Sequence, residues 1–302
     1  MLTRALKLRS DAASSVVLSL HNGPATAKLE AIGTTFVDAF NAYMDDPRPK
    51  QLAGRIQATA TELQGFYAEG TTMAAAIAAT VLPWGNRLGK VLAELEPRFV
   101  HLAHVGAGWA LARVGIAGAP VRRQLDPGYL GLAWDGYGFH ETFFSRRNWQ
   151  QARGKSQFEA QAYYQGVGRA LWFRSGGDCA HLIQSLEQFP ERWKSDLWSG
   201  VGLASCYAGP ASNSTAGALK AAAGEHLGYL RQGAAFAVSA FARAGHQPEH
   251  CIATASALTG KECRGLTAMV EDHRLAAFAS KTDGLAGYHL WRDRIATTLE
   301  GT

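Results

Sequence analysis

The stretch YYQGVGRALWF, residues 163–173, decides the fold. Its apolar residues recur at the three- and four-residue spacing of a helix, yet glycine stands at both 166 and 168. Each glycine inside a helix costs about 1 kcal/mol relative to alanine, so the pair gives up roughly 2 kcal/mol that something else must offset. Residues two apart on a helix point in widely different directions. A GxG pair therefore thins the helix on two sides, and the expected compensation is a close neighbour on each.

The pattern recurs along the chain. With Gly166 as reference, small-residue helices carry equivalent glycines at Gly70, Gly106, Gly136, Gly200 and Gly233, giving steps of 36, 30, 30, 34 and 33 residues. Gly33 is a candidate seventh copy, 37 residues before Gly70. One glycine-bearing helix every 33 residues or so is the signature of a helical-hairpin repeat. Elsewhere the apolar spacing is also helical, as in 24–44, 55–82, 101–115 and 227–245, with Pro97, Pro120, Pro127, Pro190 and Pro248 between the runs as breakers. The expectation is one all-α domain over residues 1–302, built from repeated hairpins as an α-solenoid or an α/α toroid. Residues 1–23 are expected to be peripheral or poorly ordered.

Composition narrows the function classes. Hydrophobic residues make up 47% of the chain and charged residues 18%, below the roughly 25% of an ordinary soluble domain. The net charge is +5, but the basic residues are scattered and cluster only as pairs such as Arg122 and Arg123. Neither a basic stripe nor a base-stacking motif is present, so no nucleic-acid partner is expected. Four cysteines without CxxC spacing read as reduced thiols. No run approaches about eighteen unbroken apolar residues, and the serine-interrupted start lacks a clean cleavage site, so no membrane span and a cytoplasmic location are expected.

Several site chemistries are poorly supported. GVGRAL and GVGLAS lack the third glycine of a dinucleotide loop, and no strand pattern precedes either; no cofactor is expected. His101 with His104, and His246 with His250, have ligand-like spacing but no evident third ligand, so no metal is expected. No GxSxG elbow surrounds Ser199.

Three blocks in this order and spacing, LDPGYLGLAWDGYGFHETFF at 125–144, YYQGVGRALWF at 163–173 and WSGVGLASCYAG at 198–209, resemble an actinobacterial and cyanobacterial family of unknown function found in natural-product gene clusters, including those for enediyne polyketides. The resemblance spans roughly residues 60–260. It implies a bacterial protein of specialised metabolism handling a lipophilic intermediate, and it implies no reaction.

The chemistry is read from residues. Asp135, Tyr137, His140 and Glu141 lie within seven positions, enough for acid–base work if they converge; Asp135 as a helix cap and His140 as a packing residue is the competing account. Gln165, Arg169 and Trp172 share one helix face. An arginine on an apolar helix needs an acidic partner, for which Asp135 and Glu69 are the candidates, or an anionic ligand. One residue before each reference glycine stand Glu69, Val105, Asp135, Gln165, Ser199 and Gln232; three after stand Met73, Trp109, Phe139, Arg169, Leu203 and Phe236. A polar position and a bulky one per repeat suit a pocket with a polar band and an apolar wall. Asp135, His140, Glu141 and Arg169 are the candidate catalytic residues. Glu69, Trp109, Tyr137, Phe139, Gln165, Trp172 and Ser199 are the candidate substrate contacts. The expected function is a cofactor-free cyclase, isomerase or lyase acting on a lipophilic molecule; a helical-repeat scaffold or carrier for a biosynthetic enzyme partner is the alternative.

Overall fold

The computed structural model describes residues 6–8, 21–82, 84–144, 155–209, 212–279 and 284–301. Most of the amino-terminal stretch expected to be peripheral therefore lies outside the described residues. Of the rest, Leu8 exchanges hydrogen bonds with the Asn41 side chain, both 2.9 Å, and His21 donates its amide to the carbonyl of Arg174; just beyond the stretch, Ala25 donates to the carbonyl of Gly176.

The described residues form fourteen α-helices and no strand. In chain order they are α1 (Thr26–Asp45), α2 (Leu52–Ala58), α3 (Gln64–Val81), α4 (Arg87–Val114), α5 (Ala119–Arg122), α6 (Leu130–Phe144) and α7 (Gln157–Arg174), followed by α8 (Cys179–Glu187), α9 (Lys194–Tyr207), α10 (Asn213–Ala223), α11 (Leu227–Ala244), α12 (Glu249–Thr259), α13 (Cys263–Phe278) and α14 (Gly284–Glu300). Local chemistry sets many of the ends. Ser156 and Glu159 form a reciprocal capping box at α7, Asp178 caps α8 through the His181 amide at 2.9 Å, and Ser212 caps α10 through the Thr215 amide at 3.1 Å. Gly245 and Gly260 close α11 and α12 with φ of 87° and 67°, a backbone that only glycine adopts without strain. Pro97, read as a break, lies inside α4, which continues through it with a kink at Phe99. A proline removes one helical hydrogen bond and bends a helix whose flanks are otherwise packed.

The glycine-bearing helices pack in sequence: α1 on α3, then α4, α6, α7, α9 and α11. The glycines set the register. A methyl on Gly106, Gly136, Gly166, Gly200 or Gly233 would overlap the carbonyl oxygen of Glu69, Val105, Asp135, Gln165 or Ser199 respectively, in each case the residue preceding the reference glycine of the helix before. The second glycine of each pair does the same on the other side. Gly108, Gly138, Gly168 and Gly202 meet the carbonyls of Ala133, Tyr163, Leu197 and Leu230, each three residues before the next reference glycine. GxG is thus one glycine per neighbour, and backbone-to-backbone contact on both flanks offsets the lost propensity.

Gly33 does not belong to this series. Gly70 faces the carbonyl of Phe36, which makes Val37 the counterpart of the reference glycines, while nothing lies near Gly33. A second helix accompanies the glycine-bearing one after α7, α9 and α11, and these companions, α8, α10 and α12, touch in turn. Between α3 and α4 no such helix is described. The row curls so that α11 meets α4, and α14 packs against α6, α7 and α11.

Candidate functional site

The contacts that hold the row together also bury its polar residues. Glu69, Asp135, Gln165, Ser199 and Gln232 are all buried, and the first four sit where the next helix's glycine covers their backbone. Asp135 lies in the middle of α6 rather than at its start, so it caps nothing. It pairs instead with Arg169 Nη1 through Oδ1, as the cost of a lone buried guanidinium requires. Ser199 Oγ donates to Gln232 Oε1 at 2.7 Å, and Tyr288 Oη of α14 donates to Gln165 Oε1 at 3.1 Å. A second ion pair, Arg292 Nη2 to Asp196 Oδ1 at 3.0 Å, ties α14 to α9.

Burial drives the electrostatics of this seam. The Glu69 carboxyl is pushed up to about 7, first by desolvation, with Asp135 raising it further and Arg169 opposing. Its Oε1 has no hydrogen-bond partner. Desolvation also raises Asp135, against the pull of Arg169 and a contribution from Gln165. Asp196 is pushed up to about 7 by burial, although Arg292 counteracts.

Arg169 reaches past the seam to a cavity, its side chain 7% exposed. The helices α3, α4 and α6 give this cavity their turns before the glycines (Phe66, Leu102, Val105, Leu132), and α7, α9 and α11 their turns after them (Phe173, Leu203, Tyr207, Phe236). Val270 of α13 and Trp291 of α14 complete the wall. Its volume is about 40 Å³, room for about three water molecules. The lining is aromatic and aliphatic apart from Arg169, the Tyr207 hydroxyl, Ser239 and His101. Burial, with help from Arg243, His104 and Arg274, pushes His101 down to about 3, so it is a neutral ring at neutral pH. Burial and the nearby Glu69 raise the Tyr207 phenol, which keeps its proton.

Of the positions singled out in the sequence, Val105, Arg169, Leu203 and Phe236 line the cavity; Glu69, Asp135, Gln165 and Ser199 do not. The reason is geometric: beside the glycine contacts the helices touch, and space opens only a turn away. Trp109 and Phe139 stack on each other at 4.8 Å, and the Arg169 guanidinium sits 5.1 Å from the Phe139 ring centroid, so these rings support the arginine from behind. Trp172 is buried toward the Gly177 turn.

The grouping of Asp135 with Tyr137, His140 and Glu141 divides. His140 stands edge-on to Trp109 at 5.9 Å and beside Phe144 at 5.0 Å; burial, then Arg113, pushes it down to about 4, which makes it a neutral packing ring. Tyr137 and Glu141 belong to a cluster around Lys155, whose ammonium lies 5.4, 4.5 and 5.0 Å from the rings of Trp134, Tyr137 and Tyr163, while Tyr163 Oη donates to Glu141 at 3.0 Å. One histidine of each pair is engaged away from the cavity. His104 bonds the Val100 carbonyl and the Asp126 amide, and His250 lies 3.1 Å from Lys28 Nζ.

Sequence reasoning missed Tyr207, Trp291 and the Asp196–Arg292 pair. Neither residue stood out, since α9 also carries Lys194 and α14 also carries Asp293, Arg294 and Glu300, and a pairing across 96 positions leaves no local signal. No helix among the described residues is long and apolar enough to cross a membrane.

Residues 7–299 match the model of the family described as "Protein of unknown function (DUF1702)", and the chain belongs to that family. No curated protein matches it, and no solved structure does.

Proposed function

We propose that this DUF1702 family member is an enzyme of specialised metabolism, of the enediyne or polyketide type, that binds a lipophilic intermediate in the Arg169 cavity and rearranges it by proton transfer without a cofactor, as a cyclase, isomerase or lyase. The observation that carries this reading is a guanidinium placed in the wall of an otherwise apolar cavity, with a second, unpaired carboxyl, Glu69, behind it. Arg169 holds a developing oxyanion, and Asp135 positions Arg169. Glu69, poised near neutrality behind the wall, sets the charge at Arg169 by gaining or losing its proton. The packed α4, α6, α7, α9 and α11 exclude water from the step, in an arrangement we read as a tight helical arc or ring. The narrow enclosed part favours a slender chain over a bulky polycycle. A scaffold or carrier role is the second reading, supported by Trp84, 67% exposed beside the exposed Val81 at the end of α3.

The test is mass spectrometry of the protein purified from the organism that carries the gene. A lipophilic small molecule is expected in the denatured extract of the wild type and missing from that of Ala204→Trp, which fills the cavity. Identical extracts from the two would place any ligand elsewhere.

A further inference from the structure

We infer that the occupant of the cavity carries a carboxylate, that Arg169 receives it, and that it enters together with one proton, which Glu69 takes up. The inference rests on the reading of the cavity as a small-molecule site and names the ligand class that site selects.

The charges near Arg169 decide it. Asp135 of α6 already neutralises Arg169 of α7, and Glu69 of α3 is a second carboxyl acting on the same guanidinium. Tyr207 of α9 is the remaining titratable group acting with Glu69, and it stays protonated; α1 and α4, packed on either side of α3, contribute no charge to Glu69. Arg292 is paired with Asp196, and it also favours the ionised form of Asp135, which keeps Asp135 the anion that neutralises Arg169. A ligand amine would meet a guanidinium, and an alcohol would leave it unused. A phosphate would bring close to two charges to a single arginine between aromatic walls. A carboxylate matches the fork of an arginine whose Nη1 alone is held by Asp135. With Glu69 ionised, however, the entering carboxylate would be the third anion on one cation in a site shielded from water. Protonating Glu69, whose Oε1 has no partner, removes the excess. Phe66, Phe173 and Phe236 give an aliphatic chain apolar walls.

Isothermal titration calorimetry with decanoate, 1-decanol and decylammonium tests this on the intact chain, in phosphate and in Tris so that proton uptake is read from the difference in heats. Decanoate is expected to bind most tightly. One proton per ligand enters at about pH 8, falling toward none at about pH 5.5, and affinity drops roughly tenfold per pH unit above about 7. Glu69→Gln is expected to bind decanoate with no proton uptake and no such drop. The charge-balanced double variant Asp135→Asn with Arg169→Gln is expected to lose at least about tenfold for decanoate and to keep its affinity for decanol. Decanoate binding no better than decanol would overturn the carboxylate class and leave the cavity as a site. Decanoate binding to the wild type without proton uptake would overturn the role of Glu69. Failure of all three probes would overturn both this inference and the reading beneath it.

Discussion

At the scale of single residues, glycine is a packing element here wherever a neighbour's carbonyl replaces its side chain. A methyl on Gly166 would overlap the Asp135 carbonyl and come within 2.7 Å of the Phe139 amide nitrogen, both backbone atoms of α6 that cannot rotate away. Gly166→Ala is therefore expected to lose about 3 kcal/mol or more in urea denaturation. Gly33→Ala, in a helix with open space around the added methyl, is expected to gain about 1 kcal/mol. Equal effects would break the distinction. Glu69 supplies a second residue-scale prediction. Its carboxyl titrates near 7 in the folded chain against 4.5 when unfolded, so the unfolded chain gives up its proton first and stability falls as pH rises from about 4.5 through 7. Glu69→Gln removes that slope, and its stability relative to the wild type should climb by on the order of 2 to 3 kcal/mol across the window. His101, His140 and His289, held neutral by burial, act in the opposite sense as pH falls below 6.5; they are common to both proteins and cancel in the comparison.

At the scale of elements, the GxG spacing made the row of helices legible because each glycine answers to one neighbour, a local rule visible in eleven residues. The partner of Arg169 was legible for a related reason: a buried guanidinium on α7 demands a carboxylate, and Asp135 lies 34 positions earlier, on the neighbouring α6. What stayed hidden depends on which turn faces space. The bulky positions three after the glycine reach the cavity at Arg169, Leu203 and Phe236, but the polar positions before it do not, and the wall runs a turn further on, at Tyr207 and Phe173, to α13 and α14, which carry no repeat signal. The Gly33 reading failed because identity was matched where register mattered, and Val37 holds that position. The attachment of α14 gives an element-scale prediction. Arg292 anchors it to Asp196 and Tyr288 reaches Gln165, so Asp196→Asn leaves a buried guanidinium without its carboxylate. A loss of about 3 to 5 kcal/mol is expected, with hydrogen exchange rising across residues 284–300 before it rises in α3. Uniform exchange over both helices would show that the pair does not anchor α14 in particular.

At the scale of the whole molecule, the close packing and the cavity are set by the same contacts. Where glycines meet carbonyls the helices leave no space, and the space that remains a turn away is walled by aromatic rings around one arginine. The account stands on that cavity carrying the activity through Arg169 and Glu69, and the most direct measurement is complementation. The gene is deleted in the organism that carries it and restored as wild type or as Glu69→Gln, with Gly33→Ala as a folded control, and the lipophilic metabolites are profiled. The account predicts an intermediate that accumulates on deletion, disappears with the wild type and the control, and persists with Glu69→Gln present at wild-type abundance. Full restoration by Glu69→Gln would contradict it.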